Sequence, residues 1–268
     1  MAHIDMQDLT DILQQAGREI IIPAFAQAVQ SETKLDGSVL TATDLACQAF
    51  ITERLQQLDA SIAMLGEEMS ESEQLSLLGE SSERLWCLDP LDGTTNFATY
   101  LPCFAISLAL IEQGSPSIAC IHDPIRQETF TAIRNQGAFL NGKPVQSSDV
   151  STLPESVGFI DFKRLPAAVA SHIAANPFYR SQRNIGTCAL EWAWLAVGRG
   201  QFIIHGKEKI WDFAAGSLIA AEAGCIVSDF TPEDLFPTTR LSSPILAACN
   251  NALHASLIQQ LTQARLEK

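Results

Sequence analysis

An apolar run at residues 85–88 ends in Asp89-Pro90-Leu91-Asp92-Gly93-Thr94-Thr95-Asn96-Phe97. This segment limits the fold more than any other. The run reads as a strand that delivers Asp89 to its end. Pro90 forbids immediate helix continuation, and Gly93 permits a tight bend. Two carboxylates three residues apart on such a turn can converge on one point, with the Leu91 carbonyl facing the same way. Hard oxygen donors at close quarters are what Mg²⁺ selects. Thr94 and Thr95 follow at an expected helix start, where bare N–H groups suit a phosphate. A plain Asp/Gly turn with a helix cap would explain an isolated Asp-x-x-Asp-Gly. Here a second acidic strand end, Glu67-Glu68 after the apolar residues 62–65, precedes it. Carboxylates gathered at strand ends repel one another unless a cation neutralises them.

The pattern around this segment is mixed. Helical spacing starts near Asp5 and should kink or end at Pro23. It returns over residues 44–58, with Thr43 as the expected N-cap. Residues 104–111, 117–121 and 128–133 read as meandering strands, and Asn141-Gly142 as a hairpin turn. In the second half, residues 157–160, 201–204, 225–227 and 245–248 read as strands, and 165–175, 186–197, 212–223 and 252–265 as helices. Helices covering both faces of sheets predict a layered α/β or α+β sandwich. The 268 residues allow one to two domains. No Gly/Ser linker divides them, so the expectation is two closely joined subdomains, 1–145 and 146–268.

Net charge excludes broad classes of partner. At −14 the chain repels nucleic-acid phosphates and anionic membrane surfaces, so neither is an expected partner. A local anion site survives this argument, because bound cations invert local electrostatics. The seven cysteines include no Cys-x-x-Cys pair, which fits free thiols in a reducing compartment. The start carries Asp5, Asp8 and Asp11 rather than a basic leader, and the longest apolar stretch, 103–111, is far short of a bilayer span. A cytoplasmic protein is expected. A third acidic element is Trp211-Asp212-Phe213-Ala214-Ala215-Gly216, where Asp212 opens a small-residue helix and an N-cap role would by itself explain it.

Together these segments resemble the inositol monophosphatase family of metal-dependent, lithium-sensitive phosphatases. The resemblance rests on Gly66-Glu67-Glu68, Asp89 through Phe97 and Trp211 through Gly216. Thr41-Ala42-Thr43-Asp44, Asp123-Pro124-Ile125-Arg126, the stretch from Gly137 to Gly142, and Gly186-Thr187 add to it, in family order. It implies the five-layered αβαβα sandwich of the inositol monophosphatase and fructose-1,6-bisphosphatase type, with the site between the halves and the chain a homodimer. It implies that Glu67, Asp89 and the Leu91 carbonyl hold one Mg²⁺, and that Asp89, Asp92 and Asp212 hold a second. Glu67 would also touch a weaker third. Thr94, bonded to Asp44, would orient or activate the attacking water, with Glu67 beside it. The Gly93 and Thr94 backbone would take phosphate oxygens, Gly186 and Thr187 would line the substrate side, and Lys34 lies on the loop that closes over the metals in relatives. The implied reaction is hydrolysis of a small phosphorylated metabolite resembling inositol 1-phosphate. None of the five histidines falls in these segments, in keeping with direct attack by water rather than a phosphohistidine.

One position departs from the family. Inositol-specific members carry an acidic residue seven positions before the metal-binding aspartate of the Trp-Asp motif; here it is His205, within His205-Gly206-Lys207-Glu208-Lys209. The basic stretch could favour a second anionic group on the substrate, or it could be a solvated turn between strand and helix, with Glu208 filling the acidic role after a small shift. Enzymes acting on 3′-phosphoadenosine 5′-phosphate, fructose 1,6-bisphosphate or histidinol phosphate share the metal motif and stay open. So does a binding or regulatory protein on this fold, whose sign would be a lost metal ligand; none is lost.

Overall fold

Strand alternation splits the apolar residues of the first half between two faces, and the fold is built on that split. The computed structural model describes residues 4–27, 31–33, 39–79 and 83–266. Helix α1 (Met6–Ala16) starts from an Asp5 cap, whose carboxylate accepts from the Gln7 amide at 2.9 Å. It runs through a π-helical turn, Gly17–Ile21, into α2 (Ile22–Phe25). Pro23 therefore does not stop the helix. The wider turn re-registers the ladder just ahead of it, the Ile22 amide bonding the Gly17 carbonyl, and the proline is carried within the continuing helix.

A short hairpin, β1 (Ser31–Thr33) and β2 (Val39–Thr41), leads into α3 (Ala42–Leu58). Then come β3 (Ala63–Gly66), α4 (Glu71–Gly79), β4 (Arg84–Asp92) and α5 (Thr94–Ala98). A meander follows: β5 (Ala105–Glu112), β6 (Ser115–Asp123), β7 (Glu128–Ile133), β8 (Ala138–Leu140) and β9 (Lys143–Val145). Strands β3 to β9 form a seven-stranded sheet in chain order, with β3 and β4 parallel and the other neighbours antiparallel. β4 does not end at Asp89. It continues through Pro90 to Asp92, and its register against β5 slips between Asp89 and Asp92. Such an irregularity re-aims side chains.

The second half holds β10 (Val157–Asp161), α6 (Ala167–Ala175), β11 (Ser181–Arg183), α7 (Cys188–Ala196) and β12 (Phe202–Lys209). It ends with α8 (Ile210–Glu222), β13 (Ile226–Ser228), β14 (Ser242–Ala248) and α9 (Asn251–Leu266). Its sheet has the order β11-β10-β12-β14-β13, the first three strands parallel.

The layers follow from which faces are apolar. Trp86, Leu88, Ile106, Leu108 and Leu110 pack against Leu9, Leu13, Ile51 and Leu55 of α1 and α3. The alternate residues Leu85, Cys87, Ala105 and Ala109 face α7 and α8, with Trp192, Phe213 and Ala214. Helices α7 and α8 lie between the two sheets, and α6 and α9 cover the far side of the second. This is the expected five-layered αβαβα sandwich. All seven cysteines are free, six of them buried and Cys188 partly exposed. No helix among the described residues is long and apolar enough to cross a membrane.

Candidate active site

The acidic residues converge because they stand at the C-terminal ends of strands, where open α/β sheets leave a crevice. Glu67 comes one residue after β3, its amide donating to the Leu88 carbonyl at 3.2 Å. Asp89 and Asp92 flank the slip at the end of β4, and Asp212 follows β12. Carboxylate oxygens of Asp89, Asp92 and Asp212 all lie within 4.8 Å of one another.

Each aspartate has its own anchor. The Leu91 amide donates to Asp89 Oδ1 at 2.9 Å. Asp92 Oδ2 accepts the Thr187 hydroxyl at 2.5 Å and the Ala189 amide at 2.6 Å, which seats it on the positive end of α7. Asp212 Oδ2 accepts the Lys209 amide at 3.2 Å. Helix α8 begins at Ile210, so Asp212 is its third residue, reaching back, and not the N-cap. Burial, then the charges of Glu67, Asp92 and Asp212, hold Asp89 well above the usual carboxylate range. Burial, then Asp92, Glu208 and Glu67, do the same to Asp212. The donors are hard oxygens with charge to spare, which fits a divalent cation.

Thr94 stands beside this cluster. Its hydroxyl lies 3.0 Å from Asp44 Oδ1 and 3.1 Å from the Leu91 carbonyl. Asp44 Oδ2 accepts from the Thr41 amide at 2.8 Å and the Thr41 hydroxyl at 2.5 Å, and Thr41 Oγ1 in turn accepts from the Thr43 amide. The N-cap of α3 is thus Thr41, two residues earlier than Thr43. Gly93 turns with φ +96°, and a Cβ there would lie 2.9 Å from the Cys103 carbonyl. Gly186 is exposed at the mouth of the α7 turn, whereas the buried Thr187 caps α7 and donates to Asp92. Lys34 lies outside the described residues.

The stretch after His205 is strand, not turn: β12 runs on to Lys209, with its register against β14 slipping between His205 and Glu208. His205 and Glu208 are buried, and Lys207 is exposed. Lys209 Nζ rests 5.4 Å from the centre of the Trp211 ring. His205 Nε2 is 3.2 Å from Asp161 Oδ2, and its Nδ1 accepts from the Lys207 amide at 3.2 Å. That hydrogen bonding assigns the ring proton to Nε2. Both ring nitrogens are thereby occupied, so His205 is no ready metal ligand although Cys188 and Glu208 lie near it. Glu208 Oε2 accepts from Trp192 Nε1 at 2.8 Å, while Oε1 is buried without a partner.

Two residues at the site have no role assigned from the sequence, although the first of them, Asn96, lies within the Asp89–Phe97 segment. Asn96 Nδ2 donates to the Cys103 carbonyl at 2.8 Å and the Ile185 carbonyl at 2.7 Å, tying α5 to the turn before α7. Glu191 is buried and accepts the Ile185 amide at 3.0 Å. A lone carboxylate in the apolar run of α7 was the available sign of the latter.

Comparison with known proteins agrees with this geometry. The model of the inositol monophosphatase family matches residues 5–266. Inositol monophosphatase 1 of Solanum lycopersicum is 33% identical over 261 residues, covering 94% of this chain and 92% of the relative. Nus factor SuhB of Escherichia coli (strain K12) is 36% identical over 209 residues, covering 76% of each. The structure of the Thermotoga maritima IMPase superimposes with a TM-score of 0.85 at 27% identity, covering 98% of this chain and 99% of that one. With one fold and one family pattern from end to end, the chain belongs to the inositol monophosphatase family of phosphatases.

Proposed function

We propose that the chain hydrolyses a small phosphate monoester by Mg²⁺-dependent attack of water. The observation that carries this is the meeting of Asp89, Asp92 and Asp212 within 4.8 Å, beside the Thr94–Asp44 pair. Glu67, Asp89, Asp92, Asp212 and the Leu91 carbonyl would hold two Mg²⁺, with Glu67 touching a weaker third. Bound there, Mg²⁺ polarises the phosphate and lowers the pKa of water.

The chain's own residues do the rest. Thr94 donates its proton to Asp44 Oδ1, so its lone pairs are free to accept from the attacking water. Asp44 is itself held above the usual carboxylate range by burial, which suits it to receive the Thr94 proton as Thr94 takes one from the attacking water. The Gly93 and Thr94 amides take phosphate oxygens, and Gly186 and Thr187 border the substrate. Homodimerisation, lithium sensitivity and a cytoplasmic setting go with this reading.

Phosphate release should be measured with Mg²⁺ and then Li⁺, on inositol 1-phosphate, fructose 1,6-bisphosphate, 3′-phosphoadenosine 5′-phosphate and histidinol phosphate. Asp92→Asn should lower kcat by about a hundredfold or more in a folded protein. Activity that survives this change contradicts the metal assignment. Silence on every substrate favours the binding or regulatory reading; the relative SuhB is named a Nus factor.

A further inference from the structure

The wall of the site beyond the carboxylates is made by the ends of β10 and β12. Cys188 lies between Thr187 and Ala189, the two residues that bond Asp92, and its sulfur is 4.0 Å from His205 Nε2. His205 and Asp161 are register partners across the parallel strands. Asp161 Oδ2 meets both His205 Nε2 at 3.2 Å and Arg164 Nη1 at 2.7 Å. Asp161 Oδ1 accepts the Lys163 amide at 2.9 Å, which fixes the turn. Gly206 lets β12 close on this turn, since a Cβ there would lie 1.9 Å from the Arg164 carbonyl oxygen. An unbroken run of contacts therefore links Asp92 to Arg164.

Arg164 is held but not used up. Its side chain is 53% exposed, and among the described residues Asp161 is the one acceptor it meets. A guanidinium has five N–H donors, and the Asp161 bond takes one of them. Its charge is felt at Asp92 and at Glu208. Neither lysine of the basic stretch is so placed: among the described residues no side-chain contact ties Lys207 to this run, and Lys209 lies over Trp211. His205, with Nε2 turned to Asp161 and Nδ1 accepting a backbone amide, offers a sugar hydroxyl no free acceptor and no negative charge. Glu208 does not replace it, because its side chain is turned inward with Oε1 buried.

We propose that Arg164 is a specificity-determining residue that binds a second anionic group, so that the preferred substrate is a sugar or polyol bisphosphate rather than a monophosphate. Asp161 and His205 are positioning residues for it. A planar guanidinium grips phosphate through paired hydrogen bonds, which a lysine ammonium cannot copy. The inference rests on the phosphatase reading above.

The test compares kcat/KM for fructose 1,6-bisphosphate and inositol 1-phosphate, with Mg²⁺ at fixed ionic strength. The wild type should favour the bisphosphate. Arg164→Gln should lower its kcat/KM by about ten- to a hundredfold, mainly through KM, and change the monophosphate by less than about threefold. Arg164→Lys should restore part of the loss, and Asp161→Asn, which frees the guanidinium, should give a smaller loss of the same kind. Equal falls on both substrates, or no change on either, would overturn the role of Arg164. A folded wild type that hydrolyses neither of these compounds but does hydrolyse histidinol phosphate would overturn this inference alone, and one silent on all four substrates above would overturn the phosphatase reading and this inference with it.

Discussion

Asp89, Asp92 and Asp212 share a cluster but differ in what else holds them. Asp92 receives two hydrogen bonds from the start of α7, whereas Asp89 and Asp212 receive one backbone amide each and face the repulsion of their neighbours. Removing one of the latter charges relieves that repulsion. In a chelator, Asp89→Asn or Asp212→Asn should raise stability by about 1–2 kcal/mol, while Asp92→Asn should not. Mg²⁺ should stabilise the wild type and have a blunted effect on the two variants; thermal melts with and without the ion check both. His122 gives a prediction away from the site. Burial lowers it from its ordinary 6.5 to about 4, though its Nδ1 is bonded to Thr129. The unfolded chain thus binds the proton more readily. The stabilisation is complete above pH 6.5 and is lost as pH falls from 6.5 towards 4, amounting to at most about 3 kcal/mol. His122→Gln should flatten that slope in denaturant titrations. It should not abolish it, because burial also lowers His254.

At the scale of elements, the start of α3 serves structure and chemistry with one set of atoms. Thr41 closes the helix end through the Asp44 carboxylate, and Asp44 holds Thr94. Thr41→Val should cost about 1 kcal/mol of stability. It should also lower kcat by about tenfold while leaving KM little changed, since it disturbs the partner of the water-holding hydroxyl rather than a substrate contact. Steady-state kinetics beside an unfolding curve separate the two effects. The helix itself was legible from its apolar spacing, but its first residue was not: Thr41 and Thr43 are equally good caps on paper, and Asp44 reaching back decides between them. The acids that gather were legible because Asp89, Asp92 and Glu67 stand where apolar strand runs stop. The end of β12 was not, because Lys207, Glu208 and Lys209 read as a solvated turn. Only the register slip turns Glu208 inward, and slips depend on the partner strand β14. β11 is three polar residues long and carries no periodic signal.

Across the whole molecule, everything depends on two helices held between two sheets. A Cβ on Gly216 of α8 would lie 2.3 Å from Trp192 Cβ of α7. Gly216→Val would therefore force the helices apart, and should cost about 3 kcal/mol or more in a denaturation experiment. Activity should fall further than stability predicts, since Asp92 is tied to the start of α7 and Asp212 rides on α8. The residues gathered here are drawn from both sheets and from a stretch of chain running from Asp44 to Asp212. Turnover is for that reason a stopwatch for assembly. A refolding chain that has completed either sheet alone has an incomplete ligand set, so regained activity should lag the return of secondary structure and keep time with the docking of α7 and α8.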